Sequence, residues 1–255
     1  MSVPDTHTSV NAMTATELVY NPYAFAIHDD PYETYRRLRD EAPAYWNPDL
    51  SFWVLSRFED VQNAFKDFDT FSSTGGVALE SRRRRDAGRM EFQQMIEMDP
   101  PDHTSFRKLV NRIFTGRRVA AMEDDIRNIF NGYLDQIVER GEADLVEEVT
   151  SPFPMDVISA FLDIPEGDRA QLRSYSDTIL IREDGKMELP QVAAEGMFAM
   201  LQYFSDDLPK RRKNPRNGII DDLLTLEVDG RSLTEEELLG FCILFVIAGH
   251  ETTTK

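Results

Sequence analysis

The amino-acid sequence predicts a mainly α-helical fold with one small β-hairpin. Several segments repeat apolar residues at intervals of three and four, which is the spacing of one helix face. Two short aromatic and aliphatic segments, 44–46 and 52–55, flank an Asn-Pro-Asp-Leu-Ser stretch, which is typical of a hairpin. The segment from Thr234 to Ile247 begins with a capping box and is then almost wholly apolar, which indicates a helix that crosses the domain interior.

Composition narrows the class of protein. The chain has 255 residues, 46 acidic against 28 basic, and a formal net charge of −18, which argues against nucleic-acid binding. The N-terminus has neither the basic region nor the apolar stretch of a signal peptide, and the apolar part of the last helix is too short to cross a bilayer. The single cysteine, Cys242, fits a reducing compartment. We therefore expect a cytoplasmic protein without a membrane partner, with a flexible tail over 1–20 and a single domain over 21–255.

The first predicted helix begins at Asp30-Pro31, where an acidic cap precedes a proline suited to the first turn. We expect this helix to bury Tyr32, Tyr35 and Leu38 and to end before Pro43. Beyond the hairpin, four apolar residues at helical spacing predict a second helix. They are Phe58, Val61, Ala64 and Phe65.

Residues 68–97 are harder to assign. Their first part has the composition of a loop, and Arg82–Arg85 is a run of four basic residues. Such a run is most often a solvated loop, and we predict one here.

Beyond residue 118 the chain is predicted to be almost wholly helical. One face of a long helix runs from Val119 to Ile137 and stops at Gly141, and residues 144–149 are predicted as a short strand. Lys210–Lys213 form the basic end of a helix, which the helix dipole favours. Further helices are expected over 151–164, 167–181, 190–210 and 219–226, with the side chains at 197, 200, 203 and 204 packed in the core.

The last helix changes character after Ile247. Small Ala248 and Gly249 would let a flat ligand lie against the backbone, and the spacing places the Thr252 hydroxyl within reach of the Ala248 carbonyl. Such a bond would open a polar notch in the helix beside the ligand. Together, Glu251 and Thr252 could pass a proton inward from that notch.

A zinc site is the competing interpretation of these residues. His250 and Glu251 would open the H-E-x-x-H pattern, in which two histidines four residues apart bind zinc from one helix face. The fifth position is Thr254, so the second ligand of the pattern is missing. The sequence therefore does not favour a zinc protease.

A second motif occupies residues 98–107, Met-Asp-Pro-Pro-Asp-His-Thr-Ser-Phe-Arg. Asp99 is suited to cap a helix and Pro100 to its first position, so His103 and Arg107 fall on one helix face. An imidazole and a planar guanidinium on one face suit a pair of carboxylates. Alternatively, they are incidental charges on a surface helix.

The two motifs together resemble those of the cytochromes P450. The resemblance implies a P450 fold with haem as cofactor, a propionate held by His103 and Arg107, and Ala248 and Gly249 facing the porphyrin. It also implies that Glu251 and Thr252 supply protons for oxygen activation. The reaction would insert oxygen from O2 into a small apolar substrate, with electrons from a separate donor such as a ferredoxin.

The resemblance covers only the first part of such a protein. The later Glu-x-x-Arg helix and the loop with the iron-binding cysteine are absent from the 255 residues, and Cys242 lies in the wrong motif. We expect an N-terminal portion of a P450 domain that is inactive by itself. The basic residues Lys108 and Arg112 fit either donor docking or a solvated face. The alternative function is a non-enzymatic, P450-derived helical binding module.

Overall fold

The computed structural model describes residues 17–81, 94–216, 218–228 and 230–254, without the side chains of residues 228, 251, 253 and 254. It is mainly helical, as predicted. The helices are α1 Phe25–Asp29, α2 Tyr32–Glu41, α3 Phe58–Lys66, α4 Asp102–Asn111, α5 Gly116–Ala121, α6 Glu123–Val138, α7 Pro152–Phe161, α8 Glu166–Ile179, α9 Gln191–Lys213, α10 Ile219–Thr225 and α11 Glu235–Thr254. Most of the predicted tail, residues 1–16, and the basic run Arg82–Arg85 lie outside the described residues.

Helix α11 lies at the centre of the described fold, where α7, α8, α9 and α10 all contact it. The predicted capping box forms its start: the Thr234 amide donates to Glu237 Oε2 over 2.9 Å, and the Glu237 amide donates to Thr234 Oγ1 over 3.2 Å. Leu238, Ile243 and Val246 along this helix are at most 1% exposed. The prediction of an interior helix is therefore confirmed.

The predicted hairpin is also present. Strands β1 (Ala44–Asn47) and β2 (Phe52–Leu55) pair antiparallel, with Ala44 opposite Leu55. The backbone carbonyl of Tyr20 accepts a 2.8 Å hydrogen bond from the side-chain amide of Asn47. This bond joins the segment before α1 to the hairpin. A second, two-residue antiparallel pair, β3 (Glu227–Val228) and β4 (Arg231–Ser232), precedes α11.

Three local predictions were wrong. Tyr32 is 79% exposed and Tyr35 39%, so α2 buries only Leu38. The helix predicted over 119–137 is divided at Met122 into α5 and α6. The segment predicted as a strand over 144–149 is a π-helical turn, Val146–Thr150, that runs directly into α7.

Helices α8 and α9 pack closely against each other through Gly196. A Cβ atom there would lie 2.2 Å from Thr178 Oγ1 and 3.1 Å from the Tyr175 carbonyl oxygen, so only glycine allows this approach. Met200 and Phe204 follow on the same helix and are fully buried, as predicted for core residues.

A buried ionic cluster joins the C-terminal end of α9 to α10. Arg211 is 0% exposed and donates from Nε to Asp207 Oδ2 over 2.5 Å. Arg216 Nη2 donates to the other oxygen of Asp207 over 2.9 Å, and Asp221 Oδ2 lies 3.6 Å from Arg211 Nη1. The end of α9 is basic as expected, yet one of its four basic residues belongs to the interior.

Candidate functional site

An open cavity of about 720 Å³ lies between α4 and α11. Its size falls within the range of about 300–1,000 Å³ that is usual for small-molecule and cofactor sites. Most of the lining is apolar or aromatic. The lining residues are Phe65, Phe68, Ser73, Met95, Ile96, Met98, Asp99, Pro100, His103, Arg107, Val110, Asn111, Phe114, Phe241, Leu244, Phe245 and Ala248.

His103 and Arg107 bring hydrogen-bond donors to the α4 wall of this cavity, and Arg107 also brings a positive charge. They lie four residues apart on α4, and both line the cavity. Within the described ranges, neither side chain has a hydrogen bond or an ion pair. Their donors are therefore available to a ligand that carries carboxylates.

The start of α4 differs from the prediction. The helix begins at Asp102, not at Pro100, and the Asp99 side chain does not cap it. Asp99 instead accepts from the Ser72 hydroxyl over 2.5 Å and from the Ser73 amide over 2.8 Å. These two bonds lower the pKa of Asp99, with a smaller contribution from His103. Asp99 thus fastens the preceding loop to the cavity wall.

Ala248 lines the α11 side of the cavity, and the exposed Thr252, one turn further along the helix, is not among the lining residues. Ala248 is exposed and lines the cavity, so the helix backbone is accessible there. The Thr252 hydroxyl donates to the Ala248 carbonyl over 2.8 Å, the bond that the spacing predicted. The side chain of Glu251 lies outside the described residues.

Gly249 and His250, which follow Ala248 on α11, make other contacts. Gly249 is not among the cavity-lining residues; a Cβ there would lie 2.4 Å from Ile158 Cδ1, so this glycine permits close packing of α11 on α7. His250 is fully buried, and its Nε2 lies 3.0 Å from Asp177 Oδ1 on α8. The structure therefore unites His103, Arg107 and Ala248 at one cavity and places Gly249 and His250 at helix contacts.

Sequence reasoning missed an aromatic cluster beneath the cavity. Phe114 lies 5.3 Å from Phe245 and 6.0 Å from Phe161 between ring centroids, and Phe241 stacks on Phe245 at 5.4 Å. Three of these rings line the cavity. The spacing of Phe241 and Phe245 on one helix face was the available signal, but Phe114 follows the end of α4 and has no periodic pattern to mark it.

Cys242 is placed away from the cavity. It is 0% exposed, does not line the cavity, and burial raises the pKa of its thiol to about 12. Across the described part of the chain, no group of three His, Cys, Asp or Glu side chains is arranged to hold a metal ion. No helix in the described ranges is both long and apolar enough to span a bilayer.

The closely related sequences belong to one family. The chain is 40% identical over 240 residues to a protein described as cytochrome P450 123 in Mycobacterium tuberculosis, covering 94% of this chain and 59% of the relative. It is 33% identical over 230 residues to cytochrome P450 109 of Bacillus spizizenii, covering 88% and 54%. The chain belongs to the cytochrome P450 family. No protein-family model matches it.

Solved P450 structures share the fold. The cytochrome P450 PksS of Bacillus subtilis superposes with a TM-score of 0.76 at 26% identity, covering 92% of this chain and 59% of that one. The cytochrome P450 CYP109Q5 of Chondromyces apiculatus gives 0.74 at 31% identity, covering 91% and 57%. The chain thus spans a little over half the length of the P450s it matches.

Haem is the cofactor of P450s, and the cavity suits part of it. The apolar and aromatic walls fit a porphyrin face, and the free donors of His103 and Arg107 fit its propionates. When bound, haem supplies the iron at which oxygen is activated. The described residues do not place a thiolate at this cavity, because Cys242, the single cysteine of the sequence, is buried and does not line it.

Proposed function

We propose that this chain forms the N-terminal part of a haem-thiolate monooxygenase. The complete protein would insert one oxygen atom of O2 into a small apolar organic substrate, using electrons from a separate redox partner. The observation that carries the proposal is one apolar cavity where two side chains with free hydrogen-bond donors, His103 and Arg107, meet the accessible backbone at Ala248. The identity of 40% to a P450 over nearly the whole chain supports the same assignment.

In this proposal each wall of the cavity has a separate role. His103 and Arg107 on α4 hold a propionate, and Ala248 on α11 leaves room for the porphyrin. Gly249 is proposed to leave room for the porphyrin as well, and its lack of a side chain also lets α11 approach α7 closely. The apolar lining, including Phe241 and Phe245, favours an apolar substrate and limits the entry of water.

Thr252 and Glu251 are proposed to move protons to the reacting oxygen. The Thr252 hydroxyl donates to the Ala248 carbonyl, so its own oxygen lone pairs remain directed away from that bond and can accept a proton donor. Glu251 precedes it in the chain and would exchange protons with solvent.

Replacing Thr252 with alanine in the complete enzyme should therefore uncouple electron consumption from product formation. We expect the ratio of product to electrons consumed to fall by about tenfold, because a positioned proton donor contributes about 10²–10⁴-fold to its step. Thr252→Ser retains the hydroxyl and serves as the matched control. Full coupling in Thr252→Ala would remove Thr252 from the proposed relay.

The thiolate ligand is proposed to come from sequence outside these 255 residues. The purified chain, loaded with haem, reduced and exposed to carbon monoxide, should then lack a difference band of the thiolate-ligated type, since Cys242 is buried and protonated. Joining the reading frame that follows Lys255 in the DNA should restore the band if that frame encodes Glu-x-x-Arg and a glycine-rich cysteine loop. A stable thiolate-type band in the 255-residue chain alone would contradict the proposal.

The redox partner is proposed to be an acidic protein of the ferredoxin type. Lys108, Arg112 and Arg117 are exposed and unpaired among the described residues, and they could attract such a partner. Arg118 makes a different contact, because its guanidinium pairs with Asp222 on α10.

A further inference from the structure

The buried carboxylate of Glu80 lies outside the cavity. Glu80 is 6% exposed, and each of its oxygens accepts a hydrogen bond from a different part of the chain. The Tyr23 hydroxyl donates to Oε2 over 2.8 Å, and Arg182 Nη2 donates to Oε1 over 3.2 Å. A buried carboxylate needs such partners, so Glu80 links the N-terminal segment to the connector between α8 and α9.

Backbone bonds extend this junction. The Gly185 amide of the connector donates to the Tyr23 carbonyl over 2.9 Å, and the Phe25 amide donates to Asp184 Oδ1 over 2.8 Å. The Asn21 side-chain amide donates to the Gly185 carbonyl over 3.2 Å. Residues 21–25 and the connector are therefore hydrogen-bonded to each other as well as to the Glu80 carboxylate.

The junction is continuous with the cavity wall. Ser81, next to Glu80, is 3% exposed and packs so closely on Gly76 that a Cβ there would lie 2.3 Å from Ser81 Cβ. The same Cβ would lie 3.4 Å from Glu97 Oε1, in the turn that carries Met95 and Ile96 into the cavity lining. Ser73 and Asp99, in the same part of the wall, both line the cavity, and the Ser73 amide donates to the Asp99 carboxylate over 2.8 Å.

We propose that Glu80 is a positioning residue that latches the α8–α9 connector and the N-terminal segment to the segment forming the cavity wall. Losing either donor leaves a buried charge with half of its partners, so the junction opens as a unit. Apart from the contacts of this junction, the connector makes short-range contacts within itself, such as the ion pair between Lys186 and Glu183. The latch thereby sets how readily the connector separates from the rest of the fold, independently of the proposed reaction.

Hydrogen–deuterium exchange of the 255-residue chain, read by mass spectrometry, tests the latch. We expect Glu80→Gln and Arg182→Met each to accelerate exchange at 180–190 and 21–25 by about tenfold, since a charge-assisted hydrogen bond is lost. Tyr23→Phe removes one hydroxyl and should accelerate both segments several-fold. The double variant Glu80→Gln/Arg182→Met should fall short of the sum of the two single effects, because the two changes share the Glu80–Arg182 bond, although Arg182 also donates to the carbonyls of Ile179 and Ile181.

The control is Glu183→Gln, which removes a charge from the same connector but only an exposed, local ion pair. Its exchange should match that of the unmodified chain. Urea unfolding of each variant reports global stability, and exchange within α11 should stay unchanged in Tyr23→Phe. The proposal is overturned if Tyr23→Phe and Arg182→Met leave both segments as protected as before. It is equally overturned if protection falls uniformly across α4 and α11, which would show a merely structural contribution.

Discussion

Replacing Asp207 with alanine should lower the free energy of unfolding by about 3–5 kcal/mol, the usual cost of breaking a buried ion pair from one side. Asp207 is 5% exposed and accepts from both Arg211 and Arg216. Without it, the partners that the fully buried Arg211 keeps among the described residues are the Asp163 carbonyl at 2.9 Å and the more distant Asp221 carboxylate. Urea unfolding followed by circular dichroism measures the change.

Two further variants test whether the unpaired charge of Arg211 causes the loss of stability in Asp207→Ala. Arg212→Met removes an exposed charge one residue from Arg211, and its effect should stay within about 0.5 kcal/mol. Adding Arg211→Met to Asp207→Ala removes the uncompensated charge and should recover part of the lost stability. If Asp207→Ala unfolds at the same urea concentration as the unmodified chain, the cluster does not stabilise the fold.

The sequence predicted what depends on local signals. A nearly unbroken apolar run and the Thr234 capping box located α11, and the turn residues between the aromatic segments located the hairpin, because neighbouring residues decide these features. The pairing of His103 with Arg107 on one face followed from helical spacing alone. Their convergence with Ala248 on one cavity followed only from the family resemblance, since no local pattern relates α4 to α11.

The failures arose where distant contacts decide the structure. Arg211 was placed in a basic helix end, and only its spacing of four from Asp207 could have indicated a buried pair. Asp99 has the sequence of a helix cap, but Ser72 and Ser73 compete for its carboxylate. The segment predicted as a strand contains Val146 and Val149, whose β-branched side chains favour strands, whereas the chain there forms a π-helical turn that continues into α7.

Removing both donors from the α4 wall should have the largest effect on cofactor binding. We expect His103→Ala/Arg107→Ala to weaken haem binding by the 255-residue chain by about a hundredfold or more, since each charge-assisted hydrogen bond to a carboxylate contributes about 1.5–3 kcal/mol. Arg107→Lys keeps the charge but loses the planar fork of the guanidinium. Its affinity for haem should lie between those of the unmodified chain and the double variant. Haem titration followed by the change in its absorbance gives the dissociation constants.

The matched control is Lys108→Ala with Arg112→Ala, which removes two exposed basic residues from the same stretch of chain, neither of which lines the cavity. If the cavity binds the propionates directly, this control should bind haem within about threefold of the unmodified chain, because exposed charges away from the ligand act only through screened attraction. Equal weakening in both double variants would instead show that haem binds by general attraction to a basic surface. Because iron coordination by a thiolate does not enter this comparison, the result reports on the donors of α4 alone.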